Sequence, residues 1–246
     1  MKDRQQIKVA LVGNPNVGKS TLFNALTGLK QHTGNWPGKT VVKAEGEFSY
    51  KGKTYSIIDL PGTYSLFSSS QDEEVARDYI VFEHPAITIV VLDATSIERN
   101  LHLALQVLEI RDKVIVCINL IDEAAKKGIE INEKSLMNKL GVPVIKISAR
   151  KKIGIDQLLD TMDRLVDGEI STSPYVTHYS EEIEERIRRL SPHIQKVFGD
   201  AIPVRWLALR LLSGDESLLK TYWGKMTKGQ EVFNSGFSSG NKACHL

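Results

Sequence analysis

The sequence predicts an α/β fold: a mixed, mostly parallel sheet of six to seven strands flanked by helices, followed by a small all-α unit. Three observations carry that expectation. Strand-length apolar runs recur at residues 7–12, 41–50, 54–59, 87–93, 114–119 and 142–147, with helical stretches between most of them. The stretch DGEISTSPYV at 167–176, with its Gly, Pro and small polar residues, then breaks the alternation. Beyond it only helical spacing is found, in YSEEIEERIRRL at 179–190 and PVRWLALRLLSG at 203–214.

In chain order, Ile7, Val9, Leu11 and Val12 make the first strand, and Leu22, Phe23, Ala25 and Leu26 follow helical spacing until Gly28 offers a stop. LKQHTGNWPGKTVV, with Gly34, Pro37 and Gly38, reads as a loop that cannot pack as a regular element. The runs 41–50 and 54–59 join through Lys51-Gly52-Lys53 as a hairpin, which gives the sheet one antiparallel edge strand and leaves the others parallel. A helix begins near Gly154 and runs towards Val166. In the helical unit Ile183, Ile187 and Leu190 share one face, and Trp206, Leu209 and Leu212 another. The expected division is 1–169, 170–227 and a mobile Gly/Ser/Asn-rich tail at 228–246. No internal repeat is visible.

Composition narrows the function classes. The 246 residues, 41% hydrophobic and 25% charged, are ordinary for a soluble globular protein. A net charge of +2, from 32 basic and 30 acidic residues, gives no broad positive field and argues against a nucleic-acid partner. Two cysteines, Cys117 and Cys244, are too few and too far apart for a disulfide framework or a zinc site, so a reducing compartment is expected. The apolar runs are strand-length and MKDRQQIK lacks the hydrophobic region of a signal peptide, so no membrane span is expected.

The chemistry concentrates in loops at strand ends. Gly13-x-x-x-x-Gly18-Lys19-Ser20 has P-loop spacing: Gly18 lets the backbone curl around phosphate oxygens, Lys19 reaches the β and γ phosphates, and the Ser20 hydroxyl can ligate Mg²⁺. The loop opens a helix, where free N–H groups and the dipole favour anions. Asp59-Leu60-Pro61-Gly62 ends a strand with a carboxylate that holds the Mg²⁺ shell and a Gly62 N–H that senses the γ-phosphate. Asn119-Leu120-Ile121-Asp122 matches the guanine motif N-K-x-D at its first and last positions. There an Asp accepts from the guanine N1–H and exocyclic amine, and adenine, lacking those donors, is rejected. Ser148-Ala149 stands where a backbone N–H bonds the guanine O6. Leu120 replaces the usual lysine, which removes a lid over the base and points to weak affinity and fast exchange. The candidate nucleotide contacts are Gly13, Asn14, Pro15, Asn16, Val17, Gly18, Lys19, Ser20, Thr21, Gly38, Thr40, Asp59, Gly62, Asn119, Leu120, Asp122, Ser148 and Ala149.

The loop at 29–42 is the candidate first switch, with Thr40 placed to give its hydroxyl to Mg²⁺, and TYSLFSSSQDEE after Gly62 is the second. Trp36 either faces solvent, where it contacts a partner or the second domain, or packs against its own loop. Glu181, Glu182, Glu184 and Glu185 have oxygens that suit a ferrous ion, but the spacing Glu182–Arg186, Glu184–Arg188 and Glu185–Arg189 favours a solvated, self-paired helix face.

GNPNVGKSTLFNALTG, GNWPGKTV, DLPGTYSL and DATSIERNLHLALQVLE together resemble the N-terminal cytoplasmic G domain of the bacterial ferrous-iron transporter family FeoB. The resemblance is strong over residues 7–168 and weaker over 171–223, where it extends to the helical domain that slows nucleotide release in that family. It implies a Ras-like P-loop GTPase of slow intrinsic rate, working as a regulatory module at the inner face of the cytoplasmic membrane. Its partners would be GTP, GDP and a membrane-embedded transporter region that lies outside this sequence, and a homo-oligomer stays open. The family's length marks this chain as a fragment or a short form.

The resemblance also bears on catalysis. Ras-type enzymes orient the attacking water with a glutamine after the DxxG glycine, and Thr63 at that position is too short to do so. In potassium-activated relatives an Asn of the P-loop binds K⁺ beside the phosphates, and Asn16 matches it. The expected catalytic set is Lys19, Asn16, Thr40 and Gly62, with Mg²⁺ on Ser20 and Thr40, Asp59 in the outer coordination shell, and K⁺ on Asn16. Two other classes compete: an assembly GTPase, which would need a basic domain after residue 170, and a nucleotide-binding module with negligible turnover.

Overall fold

The computed structural model describes residues 6–28, 31–67 and 70–224. The expected tail at 228–246 and short parts of both candidate switch segments lie outside the described residues. Seven strands, β1 (Ile7–Gly13), β2 (Gln31–Asn35), β3 (Val42–Tyr50), β4 (Lys53–Asp59), β5 (Ile87–Asp93), β6 (Val114–Asn119) and β7 (Val144–Lys146), form one sheet in the order β2-β3-β4-β1-β5-β6-β7. β1 pairs with β4 and β5, β5 with β6, and β6 with β7, all parallel; β3 runs antiparallel to both its neighbours.

Two expectations need correction here. The segment 29–42 does contain a regular element, because Gln31–Asn35 pairs with β3. The antiparallel strand β3 is therefore not the edge; β2 covers it. The physical reason is that an edge strand needs backbone pairing and no buried face, and His32 to Asn35 are all exposed.

The central strands are buried on both sides, which is why they read as continuous apolar runs. Alternation then sorts the side chains: Val9 and Leu11 of β1, Ile87, Ile89 and Val91 of β5, and Ile115 and Cys117 of β6 enter one core layer. Ala10, Val12, Val90, Leu92, Val114, Val116 and Ile118 enter the other. Helices α1 (Lys19–Thr27) and α6 (Ile155–Val166) cover the first layer through Leu22, Phe23, Leu158 and Met162. Helices α2 (Gln71–Phe82) and α3 (Ile97–Leu108) cover the second through Ala76, Ile80, Leu103 and Val107. Two short helices, α4 (Ile121–Lys126) and α5 (Glu133–Leu140), link β6 to β7. The segment QDEE, read as part of a switch loop, is instead the first turn of α2: Ser70 caps it by accepting from the Glu73 N–H at 3.2 Å, and Asp72, Glu73 and Glu74 suit the positive end of the helix.

After α6 the chain runs without helix or strand over 171–180, pinned by the Ser173 N–H to Gly141 O and the Tyr175 N–H to Leu140 O, both at 2.9 Å. Helices α7 (Glu181–Phe198), α8 (Val204–Leu212) and α9 (217–224) follow. Ile187, Ile194, Trp206, Leu207 and Leu218 belong to the same apolar cluster as the α2–α3 side of the sheet, so the helical unit shares that core. Ile183 and Leu190 pack against it as expected, while Leu212, expected inside with Trp206 and Leu209, is exposed. Leu207, Ala208 and Arg210 are buried in addition, so the middle of α8, residues 206–210, is buried on every face and carries no single buried stripe.

Trp36 is half-buried and packs on α2. It stands edge-on to Tyr79 of α2, ring centroids 5.5 Å apart at 69°, with its Nε1 and the Tyr79 hydroxyl both buried and without a hydrogen-bond partner. Of the three helix-face pairs expected on α7, Glu182–Arg186 at 2.6 Å and Glu185–Arg189 at 3.0 Å form. Glu184 instead takes a bidentate bond from Arg205 of α8, both arms at 2.7 Å, because that partner brings two donors from across the unit.

Candidate nucleotide site

The loop between β1 and α1 holds a cleft of about 610 Å³ lined by Asn14, Pro15, Asn16, Lys19, Ser20 and Gly62, among others. Asn16 has φ +66°, a left-handed conformation that Asn tolerates, and Gly18 follows at φ +79°. Left-handed residues of this kind just before a helix N-terminus give the backbone shape in which N–H groups can form an anion-binding concavity. The Gly62 backbone runs close to the P-loop: a Cβ there would lie 3.2 Å from the Pro15 Cα, tighter than an ordinary contact. Thr63 turns away from the cleft, giving its N–H to Gly13 O at 3.2 Å and its hydroxyl to Ser65 O at 2.7 Å.

The polar groups in the cleft hold one another. The Lys19 ammonium, 8% exposed, donates to Asp59 and to Leu60 O, and the Ser20 hydroxyl donates to Asp59 Oδ2 at 2.9 Å. Asn14 is 2% exposed and neither atom of its amide has a partner. An adjoining cleft of about 520 Å³, which shares Gly62 and Asp72 with the first, is lined by Thr40, whose hydroxyl donates to Gln71 Oε1 at 3.1 Å. Thr40 thus faces the start of α2 in this structure. Gly38, at φ +71°, lies in the turn closed by the Lys39 N–H to Trp36 O at 3.0 Å and lines neither cleft.

The ends of β6 and β7 bring the remaining candidates together. Asn119, 1% exposed, is the hub: its Nδ2 donates to Val17 O at 2.9 Å and its Oδ1 accepts from the Ala149 N–H at 3.0 Å. Val17 is in the β1–α1 loop and Ala149 follows β7, so one amide ties three loops. Leu120 sits at φ +63°, strained for a γ-branched residue, and its Cδ2 is 3.9 Å from the place a Cβ on Gly18 would take. Asp122 follows on α4; its Oδ1 accepts from the Ser148 hydroxyl at 2.9 Å, and its Oδ2 lies 3.4 Å from the Lys151 ammonium. The Ser148 hydrogen bond first, and Lys151 after it, hold its carboxyl below the usual range.

Sequence reasoning put Gln71 and Asp72 in the second switch without giving either a place at this site, and it missed Lys151. The S-x-x-E pattern of Ser70 and Glu73 marks the start of a helix and would have put Asp72 in its first turn. No comparable signal announces Lys151, which reaches Asp122 only through the fold of the turn after β7. Among the described residues no group of three or more His, Cys, Asp or Glu side chains could hold a metal ion, and no helix is long and apolar enough to cross a membrane.

A family model described as Ferrous iron transport protein B matches residues 7–162, and one described as FeoB cytosolic helical domain matches 179–234. The chain belongs to the FeoB family. It is 41% identical over 228 residues to the Fe(2+) transporter FeoB of Methanocaldococcus jannaschii, an alignment covering 92% of this chain and 33% of that protein. It also resembles the cytosolic domain of T. maritima FeoB in a GDP form, with TM-score 0.81, 38% identity, 98% of this chain and 89% of that one. The GMPPNP form of the same domain gives TM-score 0.80 and 39% identity, over 97% and 88%. The chain spans a third or less of the length of the curated FeoB relatives it matches. Its fold is the P-loop GTPase fold of the FeoB G domain, with the FeoB helical domain after it.

Proposed function

We propose that the chain is a GTP-binding and GTP-hydrolysing regulatory module of a ferrous-iron membrane transporter, with K⁺ assisting hydrolysis. The observation that carries the nucleotide reading is the Asn119 bridge, which ties the phosphate loop to the Ala149 N–H, beside which Ser148 holds the Asp122 carboxylate. In this reading residues 1–169 are the G domain and 170–227 the helical domain. The N–H groups of residues 14–21 cradle the phosphates, Lys19 moves from Asp59 to the β and γ phosphates, and the Gly62 N–H meets the γ-phosphate. Asp122 reads the guanine edge and the Ala149 N–H its O6. The first switch is 29–42, the second runs from Thr63 through the loop into the first turn of α2, and the partner is a membrane-embedded region of the same transporter at the inner membrane face.

The donor chemistry fits Mg²⁺, since the Ser20 hydroxyl and the Asp59 carboxylate are hard oxygens 2.9 Å apart at the cleft. Ser20 and Thr40 would hold the ion, with Asp59 in its outer shell; when bound it neutralises phosphate charge. Asn16 is exposed and lines the same cleft, and its neutral amide oxygen suits K⁺, whose charge beside the phosphates would replace that of an arginine finger. Thr63, with its hydroxyl spent on Ser65 O, favours a second reading, a binding module with negligible turnover.

Single-turnover GTP hydrolysis in Mg²⁺, in KCl against NaCl at equal ionic strength, tests the choice. The expected result is a large rate gain in K⁺ that disappears in Asn16→Ala and in Asn16→Gly, the latter keeping the left-handed backbone free of strain. Equal rates in both salts would overturn the potassium role, and no measurable turnover in either would leave the binding module.

A further inference from the structure

Asp122 is engaged from within the chain on both carboxylate oxygens. The two partners differ in kind. Ser148 is a buried neighbour, 1% exposed, whose hydroxyl takes one lone pair of Oδ1 and leaves the other. Lys151 is a long side chain, 53% exposed, on the turn that the Ser148–Ile153 bridge closes, and its ammonium faces Oδ2 of a carboxylate that is itself 12% exposed. A guanine edge offers this carboxylate two donors side by side, N1–H and the exocyclic 2-amine. Asp122 can accept both while keeping Ser148, but at Oδ2 the amine arrives beside an ammonium 3.4 Å away, and two donors crowded on one oxygen repel, so the base and Lys151 contend for that oxygen.

We propose that Lys151 is a specificity-determining residue that stands in for the guanine 2-amine, competing with the base for Asp122 Oδ2. The inference rests on the reading of Asp122 as the guanine acceptor. An ammonium suits the role: it is a compact point charge with three rotatable donors on a flexible stem, able to leave and return without moving the backbone. Leu120, apolar at the position where the guanine motif carries lysine, leaves the cation beside the base to come from the other loop. The competition lowers affinity for guanine nucleotides and blunts discrimination against hypoxanthine nucleotides. Those use one carboxylate oxygen and leave the other to Lys151.

The test is equilibrium binding of GDP and of IDP, which lacks the 2-amine, to the full chain as wild type, Lys151→Met and Lys151→Arg. Lys151→Met should tighten GDP by about two- to fivefold, the scale of an exposed ion pair, and leave IDP unchanged. Lys151→Arg should restore the wild-type GDP value. Three results would overturn the proposal: GDP binding weakened by Lys151→Met, GDP and IDP shifted together as for a general attraction to phosphate, or no change in either. A wild type that binds ADP as tightly as GDP would instead refute the Asp122 reading beneath it.

Discussion

Removing the Asn119 side chain should unfasten the site and cost the whole domain stability. Asn119→Ala deletes the bonds to Val17 O and from the Ala149 N–H, at 2.9 and 3.0 Å, in a place where the side chain is 1% exposed. Each buried backbone group left without a partner costs about 1–3 kcal/mol, so the pair amounts to about 4 kcal/mol. For a chain of this size that lowers Tm by roughly 8–16 °C. Urea unfolding at constant m should show the same loss as a lower midpoint. GDP should then raise Tm less in the variant, because the ligand stabilises only in proportion to its weakened affinity. Asn119→Asp sharpens the case, since it keeps an acceptor for Ala149 but sets an oxygen against Val17 O, and it should lose at least as much. A loss under about 1 kcal/mol in Asn119→Ala would refute the idea that one amide fastens three loops.

Gly18→Ala should cut GDP affinity at least about tenfold, because the new Cβ would lie 2.4 Å from Asn119 Nδ2 at a φ of +79° that costs an L-residue about 1–2 kcal/mol; a fluorescent-GDP titration that matches wild type would contradict this. Acid should loosen the helical unit through Glu184, whose carboxyl the Arg205 fork and the Tyr179 N–H push down to about 2 from 4.5. With the folded value below the unfolded one, this contribution is complete above pH 4.5 and drains away as pH falls towards 2. Glu184→Gln should flatten that part of the urea midpoint against pH, and an unaltered slope would show that the fork does not couple to folding.

Much of this architecture was legible because the central strands obey simple rules. Val9 to Val12 and Ile87 to Leu92 are buried on both faces, and such strands announce themselves as unbroken apolar runs bounded by polar loops. The P-loop spacing, Asp59, Asn119, Asp122 and Ser148 were legible for another reason: their chemistry needs particular residue types at fixed offsets. β2 was not, since His32 to Asn35 bury no face and the strand pairs with β3 through its backbone. Nor were the long-range pairs. Arg205 lies 21 residues from Glu184, and Lys151 reaches Asp122 across a turn, and neither separation leaves a periodic trace. Leu212 failed differently, because helical spacing shows which residues share a face but not whether a neighbour covers it.

The three tryptophans lie at three depths. Trp206 is 1% exposed and Trp223 52%, while Trp36 rides on the segment between β2 and β3 with the Tyr79 ring at its edge and the Lys43 ammonium 5.6 Å above its face. The chain therefore carries its own optical reporter. Lifting that segment from α2 would strip Trp36 of both neighbours and shift its emission to the red, while Trp206 stays blue as an internal reference. Stopped-flow mixing with nucleotide could then time the movement of this segment without an added dye.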